Sequence, residues 1–480
     1  MTVAAVPEGP LVIGVDSSTQ STKVLAVDAA TGAVLARGQS RHTVSSGGAR
    51  ESDPRQWWTA LCDALEQCGP YARQAAAISV CAQQHGLVTL DAGGEPVRPA
   101  LLWNDVRSAP QRDRLVTDLG GPQSWAQRLG SVPAPSFTVT KWAWLRVSEP
   151  QAARATAAVR LPHDYLTERL TEAGVTDRGD ASGTGWWATA SQAYDEQVLN
   201  HVALSPALLP RVLRPGEAAG TVRPRPELPL APGTLVASGT GDNMAAALGL
   251  GLRPGQPVVS LGTSGTVYAV SFERPTDPSG TVSGFADAQG AWLPLACTLN
   301  CTLAVDRIAA LLGRDREAVE PGGTVTVLPF LDGERTPHMP AATGMLHGLR
   351  HDTSAGQVLQ AAYDGAGYAL LAALEKVVGP DADPLSPLLL IGGGAQGAAW
   401  RATIQRLSGR PLRVPRAREL VALGAAAQAA GLLLGAEPGA VARRWATADG
   451  PSYDAVPRDD AALGRIATTL SSAGALLGSG

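Results

Sequence analysis

Leu11-Val-Ile-Gly-Val-Asp16-Ser-Ser-Thr19-Gln-Ser-Thr-Lys23-Val-Leu-Ala-Val-Asp28 reads as a short buried strand, a turn of small polar residues and a returning strand. Ala29 to Gly32 turns the chain again, and Ala33 to Gly38 reads as a third strand. Apolar runs broken by polar and glycine-containing turns make an antiparallel meander. The pattern recurs about half a chain later: Pro257-Val-Val-Ser-Leu-Gly262, then Thr263-Ser264-Gly265, then Thr266-Val-Tyr-Ala-Val-Ser271. Repetition at that distance marks two related α/β domains, each opening on strand, turn, strand. The boundary falls near Gly249-Leu-Gly-Leu-Arg-Pro-Gly255, a glycine- and proline-bearing segment able to act as a hinge. This divides the chain into residues 1–249 and 250–480.

Working outward, Pro54 to Cys68 reads as a helix, Ala76 to Val80 as a strand and Ser354 to Val378 as a long amphipathic helix. Leu388-Leu-Leu-Ile391 is a buried strand running into Gly392-Gly393-Gly394-Ala395-Gln396, with a helix over Ala398 to Ser408. Thr234 to Ala237 stops in Ser238-Gly239-Thr240-Gly241-Asp242-Asn243, and an alanine-rich segment, Met244 to Leu250, follows. That is strand, tight loop, helix. It sets Asp242 at the open end of a strand, where α/β sheets carry their chemistry.

Bulk composition narrows the field. The chain has 480 residues, 45% hydrophobic and 17% charged, with a net charge of -4. A balance so mild gives no electrostatic case for nucleic acid or a membrane surface. Cys62, Cys68, Cys81, Cys297 and Cys301 show neither a disulfide framework nor zinc-ligand spacing. Met1 to Pro10 lacks the basic and apolar regions of a signal peptide, and no run of about 18 apolar residues occurs. The expected address is cytoplasmic. Only three lysines are present, Lys23, Lys141 and Lys376, and none follows a glycine. A Walker A loop is therefore excluded, and ATP would need another architecture.

The two polar turns supply one. Backbone N–H groups and the hydroxyls of Ser17, Ser18 and Thr19 are suited to phosphate oxygens, and so are those of Gly262, Thr263, Ser264 and Gly265. Asp16, at the strand end, suits a magnesium ion held through water. Each turn alone is as well explained by an ordinary hairpin; two that head related domains could face one another across a polyphosphate. Gly392 to Gly397 matches G-x-G-x-x-G, with Glu419 further on. It falls too late in its domain for a dinucleotide fingerprint, so a floor for adenosine is preferred to a dehydrogenase. Gln83-Gln84-His85-Gly86 and Trp103-Asn104-Asp105-Val-Arg107 carry amide, imidazole, carboxylate and indole groups that suit a polyol. For His85 and Trp103 singly, structural roles are the simpler reading. Asp242 and His85 compete as general base. Asp242 is favoured because its glycine neighbours leave room for a substrate, and Asn243 could cap the helix in its place.

Taken with their order and spacing, these segments resemble the FGGY family of carbohydrate kinases. The resemblance runs through Asp16-x-Ser-Thr-x-x-x-Lys23, Gln83-x-His85-Gly86, Trp103-Asn-Asp-x-Arg107 and Lys141 in its Phe-Thr-x-x-Lys context. It continues through Leu161-Pro-x-Asp-Tyr-Leu166, Thr176-Asp177, Asp180-Ala-Ser-Gly-Thr184 and Gly241-Asp242-Asn243. Leu261-Gly-Thr-Ser-Gly265, Leu331-Asp-Gly-Glu-Arg-Thr-Pro-His338 and Gly392-Gly-Gly-Ala395 complete it. The resemblance implies two ribonuclease-H-like domains of actin-type ATPase fold with a cleft between them, the first for sugar and base and the second for ATP. It implies ATP and Mg²⁺ as cofactors and phosphorylation of a ketopentose at its terminal hydroxyl. Asp242 matches the catalytic base and Asp16 the acid near metal and phosphates. Gln84, His85, Trp103, Asn104, Asp105 and Asn243 match sugar contacts. Ser17, Ser18, Thr19, Lys23, Gly262 to Gly265, Gly393, Gly394, Ala395 and Gln396 match the nucleotide site. Trp103-Asn-Asp favours xylulose over ribulose or glycerol. Gln84 stands where relatives acting on xylulose usually carry Met, which leaves other sugars and polyols open. A non-catalytic ATPase of actin or chaperone type is the other class, and the polyol-suited residues argue against it. The partner expected is a small-molecule sugar, and the chain is compatible with a homodimer.

Overall fold

The computed structural model describes residues 7–45, 47–379, 383, 385–474 and 477. Most of the N-terminal segment and of the small-residue tail after Ala473 lies outside the described residues.

The opening meander forms as read: β1 (Leu11–Ser17), β2 (Ser21–Asp28) and β3 (Val34–Arg41). Every residue of β1 is buried, because the strand lies at the centre of a sheet covered on both faces. Helix α1 (Pro54–Gln67) starts where Asp53 accepts from the Arg55 N–H and packs on β2 and β3. Then follow β4 (Ala75–Ala82), β5 (Ala218–Thr221), β6 (Leu235–Ala237) and the short β7 (Thr240–Gly241). The sheet runs β5-β6-β4-β1-β2-β3, with β7 paired to β4. Between β4 and β5 lie α2 (Thr138–Ser148), α3 (Pro162–Thr171) and α4 (Arg178–Ala181), which carry the sugar-side motifs.

After α5 (Asp242–Gly249) the plan repeats. The second half contains β8 (Pro257–Leu261), β9 (Gly265–Ala269), β10 (Ser283–Ala286) and β11 (Trp292–Thr298). It ends with β12 (Leu388–Ile391), β13 (Leu412–Arg413) and β14 (Ser452–Tyr453). Its sheet order is β10-β11-β9-β8-β12-β13-β14. In each half the first strand is antiparallel to the second and parallel to a later one: β1 to β4, β8 to β12. The duplication read in the two turns therefore extends through the whole sheet. Helix α6 (Thr302–Leu311) precedes α7 (Ala355–Val378), which is closed at its start by a capping box on Ser354 and Gln357. The long amphipathic helix expected over Ser354 to Val378 forms as α7, and it is central to the second half, because α6, α8 (Ala398–Ser408) and the hairpin of Thr326–Leu328 with Met345–His347 pack around it.

One helix of each half crosses to the other. Met244, Ala247 and Leu248 of α5 share a core with Val258, Tyr268 and Leu389 of the second sheet. Ala422, Leu423 and Ala426 of α9 (Leu420–Leu434) pack on Val12, Leu25 and Ala77 of the first, joined by Val441 and Ala442 of α10 (Pro438–Arg444). Where the two helices cross, a Cβ on Gly424 would lie 1.8 Å from the Ala245 carbonyl oxygen, and one on Gly249 2.1 Å from that of Leu420. The alanine and glycine content of both segments is the condition for this backbone contact. Among the described residues, no single helix is long and apolar enough to cross a membrane.

Candidate active site

Asp242 is the first residue of α5, and the N-cap is Gly241, without a side-chain cap bond. So neither Asp242 nor Asn243 caps the helix. The Asp242 Oδ1 accepts from the Asn243 N–H at 2.9 Å and from Asn243 Nδ2 at 3.1 Å, and the carboxylate is half-buried in the cleft. Burial, with the charges of Asp16 and Asp180 nearby, pushes its pKa up to about 7. Asp16, 4% exposed at the end of β1, accepts from the Ser18 hydroxyl at 2.6 Å. Burial pushes it up to about 6, against the pull of Ser18 and Lys23.

The tip of the first turn is tied to the sugar-side loops. The Thr19 hydroxyl donates to Gln83 Oε1 at 3.3 Å and accepts from the Trp103 indole N–H at 3.1 Å. The Ser17 hydroxyl is turned inward to Thr22. Lys23 is ion-paired with Glu419 at 2.6 Å, a partner that sequence considered only as part of a dinucleotide fingerprint. In the second turn, the Gly262 carbonyl accepts from both the Thr302 N–H and its hydroxyl at the start of α6, while the hydroxyls of Thr263 and Ser264 have no partner among the described residues. The Gly392 loop lies directly on that turn: a Cβ on Gly392 would come 2.6 Å from the Leu261 carbonyl oxygen, and one on Gly394 2.8 Å from Leu261 Cβ. Gly394 and Ala395 are thus packed inward, whereas Gly393 and Gln396 are exposed and a Cβ at Gly393 meets nothing within 4 Å. An open glycine beside a hydroxyl-bearing turn is a fit cradle for a nucleotide.

His85 adopts φ 64 and is stacked on Phe137 at 4.8 Å, with Phe285 of the second half 5.7 Å away. Its Nδ1–H donates to the Gly183 carbonyl at 2.7 Å, which leaves Nε2 as an acceptor. Burial, then the charge of Lys141, pushes its pKa down to about 3, so it is a far weaker base than Asp242. Lys141, itself buried, holds the His85 carbonyl at 3.2 Å and the Ser136 carbonyl. Gln84 Oε1 accepts from Asn243 Nδ2 at 2.9 Å and the Gln84 side chain also lies against Asp180, while Asn104 Oδ1 is buried without a partner among the described residues. An unpaired buried polar atom of this kind fits a hydroxylated ligand. Asp105 does not offer a free edge. Its oxygens accept from the Arg50 N–H and from the Arg107 N–H and guanidinium, so it orders its loop.

Behind the site lies a cluster that sequence reading passed over. His163, fully buried, has Nδ1 2.8 Å from Asp180 and Nε2 3.2 Å from Asp164. Although burial opposes charge, Asp164, Asp180 and Asp177 push its pKa up to about 9. Asp177 accepts from the Thr240 hydroxyl at 2.8 Å, two residues before Asp242. The quoted motifs at 161–166, 176–177 and 180–184 therefore converge here, with His163 in a position read only as x. Phe285 gave no signal in the sequence. Among the described residues, no group of three or more acidic, His or Cys side chains forms a metal cage.

Two lobes of ribonuclease-H-like topology, with two polar turns facing a cleft that holds a high-pKa carboxylate, define a phosphotransferase of the actin-type ATPase fold. The chain belongs to the FGGY family of carbohydrate kinases: residues 11–249 match the family's N-terminal domain and residues 258–432 its C-terminal domain. It is 73% identical over 470 residues to a xylulose kinase of Streptomyces rubiginosus, covering 98% of each chain. A crystal structure of xylulose kinase from Bifidobacterium adolescentis superposes with a TM-score of 0.83 at 36% identity, covering 96% of this chain and 99% of that one. A crystal structure described as a xyloylose kinase from Brucella ovis gives 0.87 at 28% identity, covering 97% of this chain and 98% of that one. The substrate is accordingly a small sugar.

Proposed function

We propose that this chain phosphorylates D-xylulose at its terminal hydroxyl to give D-xylulose 5-phosphate. The observation that carries the proposal is Asp242, a half-buried carboxylate with no cation partner among the described residues, facing the cleft between the two turns and poised near neutral pH. The named activities of the relatives support the choice of sugar. Residues 1–249 bind the sugar and supply the base, and residues 250–480 bind ATP. Bound ATP supplies the phosphoryl group, and Asp16 would hold a magnesium ion that would offset the phosphate charge. Binding magnesium through one carboxylate and phosphates suits a site with no protein cage.

The chain's own residues do the rest. His85 Nε2 and Asn104 Oδ1 accept from sugar hydroxyls, and Gln84, at the sugar side, holds Asn243. Asn243 fixes the Asp242 carboxylate, which takes the proton of the terminal hydroxyl as that oxygen becomes the nucleophile. Trp103, bonded to Thr19, couples the filling of the sugar site to the first turn. The test is an ADP-release assay on ketoses and polyols, with Asp242→Ala as control. Xylulose should give the highest kcat/KM, and the variant should still bind ATP. A higher value on ribulose or glycerol would replace the sugar, and turnover by folded Asp242→Ala would remove the base.

A further inference from the structure

Three acids surround one imidazole directly behind Asp242. His163 is the second residue of α3 and has no exposed surface. Its Nδ1 is 2.8 Å from Asp180, and its Nε2 is 3.2 Å from Asp164 and 3.9 Å from Asp177. Ionised carboxylates so deep in a fold are costly unless a cation meets them. Arg160 and Arg178 flank the cluster but are engaged elsewhere, by Glu168 and Asp287. His163 is therefore the cation of the cluster: burial disfavours its charge, yet the three acids hold its pKa up at about 9.

The cluster is built onto the segment that delivers Asp242. A Cβ on Gly239 would lie 2.8 Å from His163 Cδ2, so the chain passes hard against the ring. Asp177 accepts from the Thr240 hydroxyl at 2.8 Å and from the backbone N–H groups of Gly179 and Asp180 at 2.9 Å, which ties β7 to α4. A Cβ on Gly179 would lie 2.8 Å from the Thr240 hydroxyl oxygen and 3.0 Å from Met244 Cγ. Helix α4 thus bears on the chain two residues before Asp242 and two residues after it. From the second half, the Ala286 N–H of β10 donates to the Ser182 hydroxyl oxygen at 2.9 Å, just past α4. His163, Asp164 and Asp180 are wholly buried, so they act through the segment they hold and not by touching a substrate.

We propose that His163 is a positioning residue for the transfer step: by pairing with Asp180 it holds α4 against residues 239–244 and so fixes where the Asp242 carboxylate meets the sugar hydroxyl. The inference rests on the sugar-kinase reading above with Asp242 as base, which wild-type turnover and Asp242→Ala test separately. The pairing also has an electrostatic consequence. Burial pushes the Asp180 carboxyl up, and His163 pulls it the other way. Burial first, then the charges of Asp16 and Asp180, raise Asp242, and the Tyr268 phenol is a further titratable group in its field. Without the imidazolium, buried Asp180 should take up a proton, its repulsion should disappear, and Asp242 should ionise at lower pH.

The experiment is a pH profile of kcat and kcat/KM, per folded enzyme, for His163→Phe, Asp180→Asn and Thr240→Val. His163→Phe keeps a ring and removes its charge. Its kcat should fall ~10²-fold, the scale of a reacting group displaced by about an ångström, with the KM for sugar and for ATP little changed. Asp180→Asn should lower kcat in the same sense. In both, the acid limb of kcat/KM, set by Asp242 at about 7 in wild type, should move to lower pH. Thr240→Val cuts only the bond to Asp177 and should lower kcat by ~10-fold, the scale of one hydrogen bond. An acid limb that stays at the wild-type pH in either folded variant overturns the proposal, because a merely structural role lowers the melting temperature and leaves the titration of the base alone. So does an unchanged kcat, or a rise in either KM without a fall in kcat. Asp180→Asn and Thr240→Val are close in shape to the side chains they replace, so they carry the test if His163→Phe does not fold.

Discussion

Helix α5 begins on Asp242, and its counterpart in the second half, α9, begins directly after Glu419. Each follows a strand paired in parallel with the one beside the first strand of its half, β7 with β4 and β13 with β12; each crosses to the opposite lobe, and each is glycine-lined at the crossing. Their acids differ in what surrounds them. Glu419 lies about a third exposed against Lys23, at 2.6 Å. Asp242 has no cation partner among the described residues, and burial with Asp16 and Asp180 for company raises its pKa to about 7. A duplicated fold has thus placed a carboxylate at the same structural point twice. Only the one deprived of a counter-charge in an enclosed cleft is suited to take a proton.

The largest effect expected from this contrast is on rate. Asp242→Ala should lower turnover by ~10²–10⁴-fold, and the wild-type kcat/KM should rise with pH through about 7 as the carboxylate ionises. Equal damage from Glu419→Ala would break the comparison, because the paired acid would then share the chemistry.

Next is the crossing itself. A side chain at Gly424 would collide with the Ala245 carbonyl oxygen, and one at Gly249 with that of Leu420. Over-packing against backbone typically costs ~1–3 kcal/mol or more. Gly424→Val and Gly249→Val should both lower the denaturant midpoint heavily, and by similar amounts. If only one is damaging, the crossing is not the symmetric element described.

The unpaired acid should also cost stability. Its folded pKa, about 7, lies above its unfolded value near 3.8. The penalty is absent below the unfolded pKa, grows as pH rises between the two values and levels off above about 7. Asp242→Asn should therefore unfold like wild type at pH 4 and at a higher temperature at pH 8. A melting difference independent of pH would show that the carboxylate is not desolvated.

Gln84 sharpens the comparison on the sugar side. Its carbonyl is engaged by Asn243, which also bonds Asp242, so its main role is to hold the base. Gln84→Met should lower kcat by a similar, modest factor on every sugar, ~10-fold for one hydrogen bond. A reordering of sugars would show instead that the Gln84 amide reads the substrate directly.

Much of this was legible in the sequence for a plain reason. Strand, turn and glycine signals are local, so the two meanders, β12 with its glycine loop, and the placement of Asp242 could all be read from neighbouring residues. The exchange of α5 and α9 was not legible, because nothing in an alanine-rich helix says which sheet it covers. Neither were the pairing of Lys23 with Glu419, the approach of Phe285 to His85, or the three acids around His163. Each depends on residues brought together from distant parts of the chain. Sequence assigned Asp105 to the sugar because its residue type suits one, whereas Arg50 and Arg107 already occupy it. The same limit applies to α7, whose apolar face could be counted but whose covering elements could not.

The smallest effect should come from the paired acid. Lys23 and Glu419 are 29% and 31% exposed, and an ion pair so open contributes ~0–1 kcal/mol. Burial disfavours the Lys23 ammonium, but Glu419 holds its pKa above the ordinary value. That contribution is present below the unfolded pKa of about 10.5 and lost as pH rises through the folded one. Glu419→Gln should therefore shift the melting temperature by a degree or two at pH 7 and low salt. The shift should vanish at ~0.5 M salt, where the screening length falls to a few ångströms. The same variant frees Lys23 beside the first turn, so the KM for ATP should stay level or fall. A rise in that KM beyond ~3-fold, against the sub-kilocalorie value of an exposed pair, would mean that Glu419 positions the turn. The acids of the two halves would then differ in degree only.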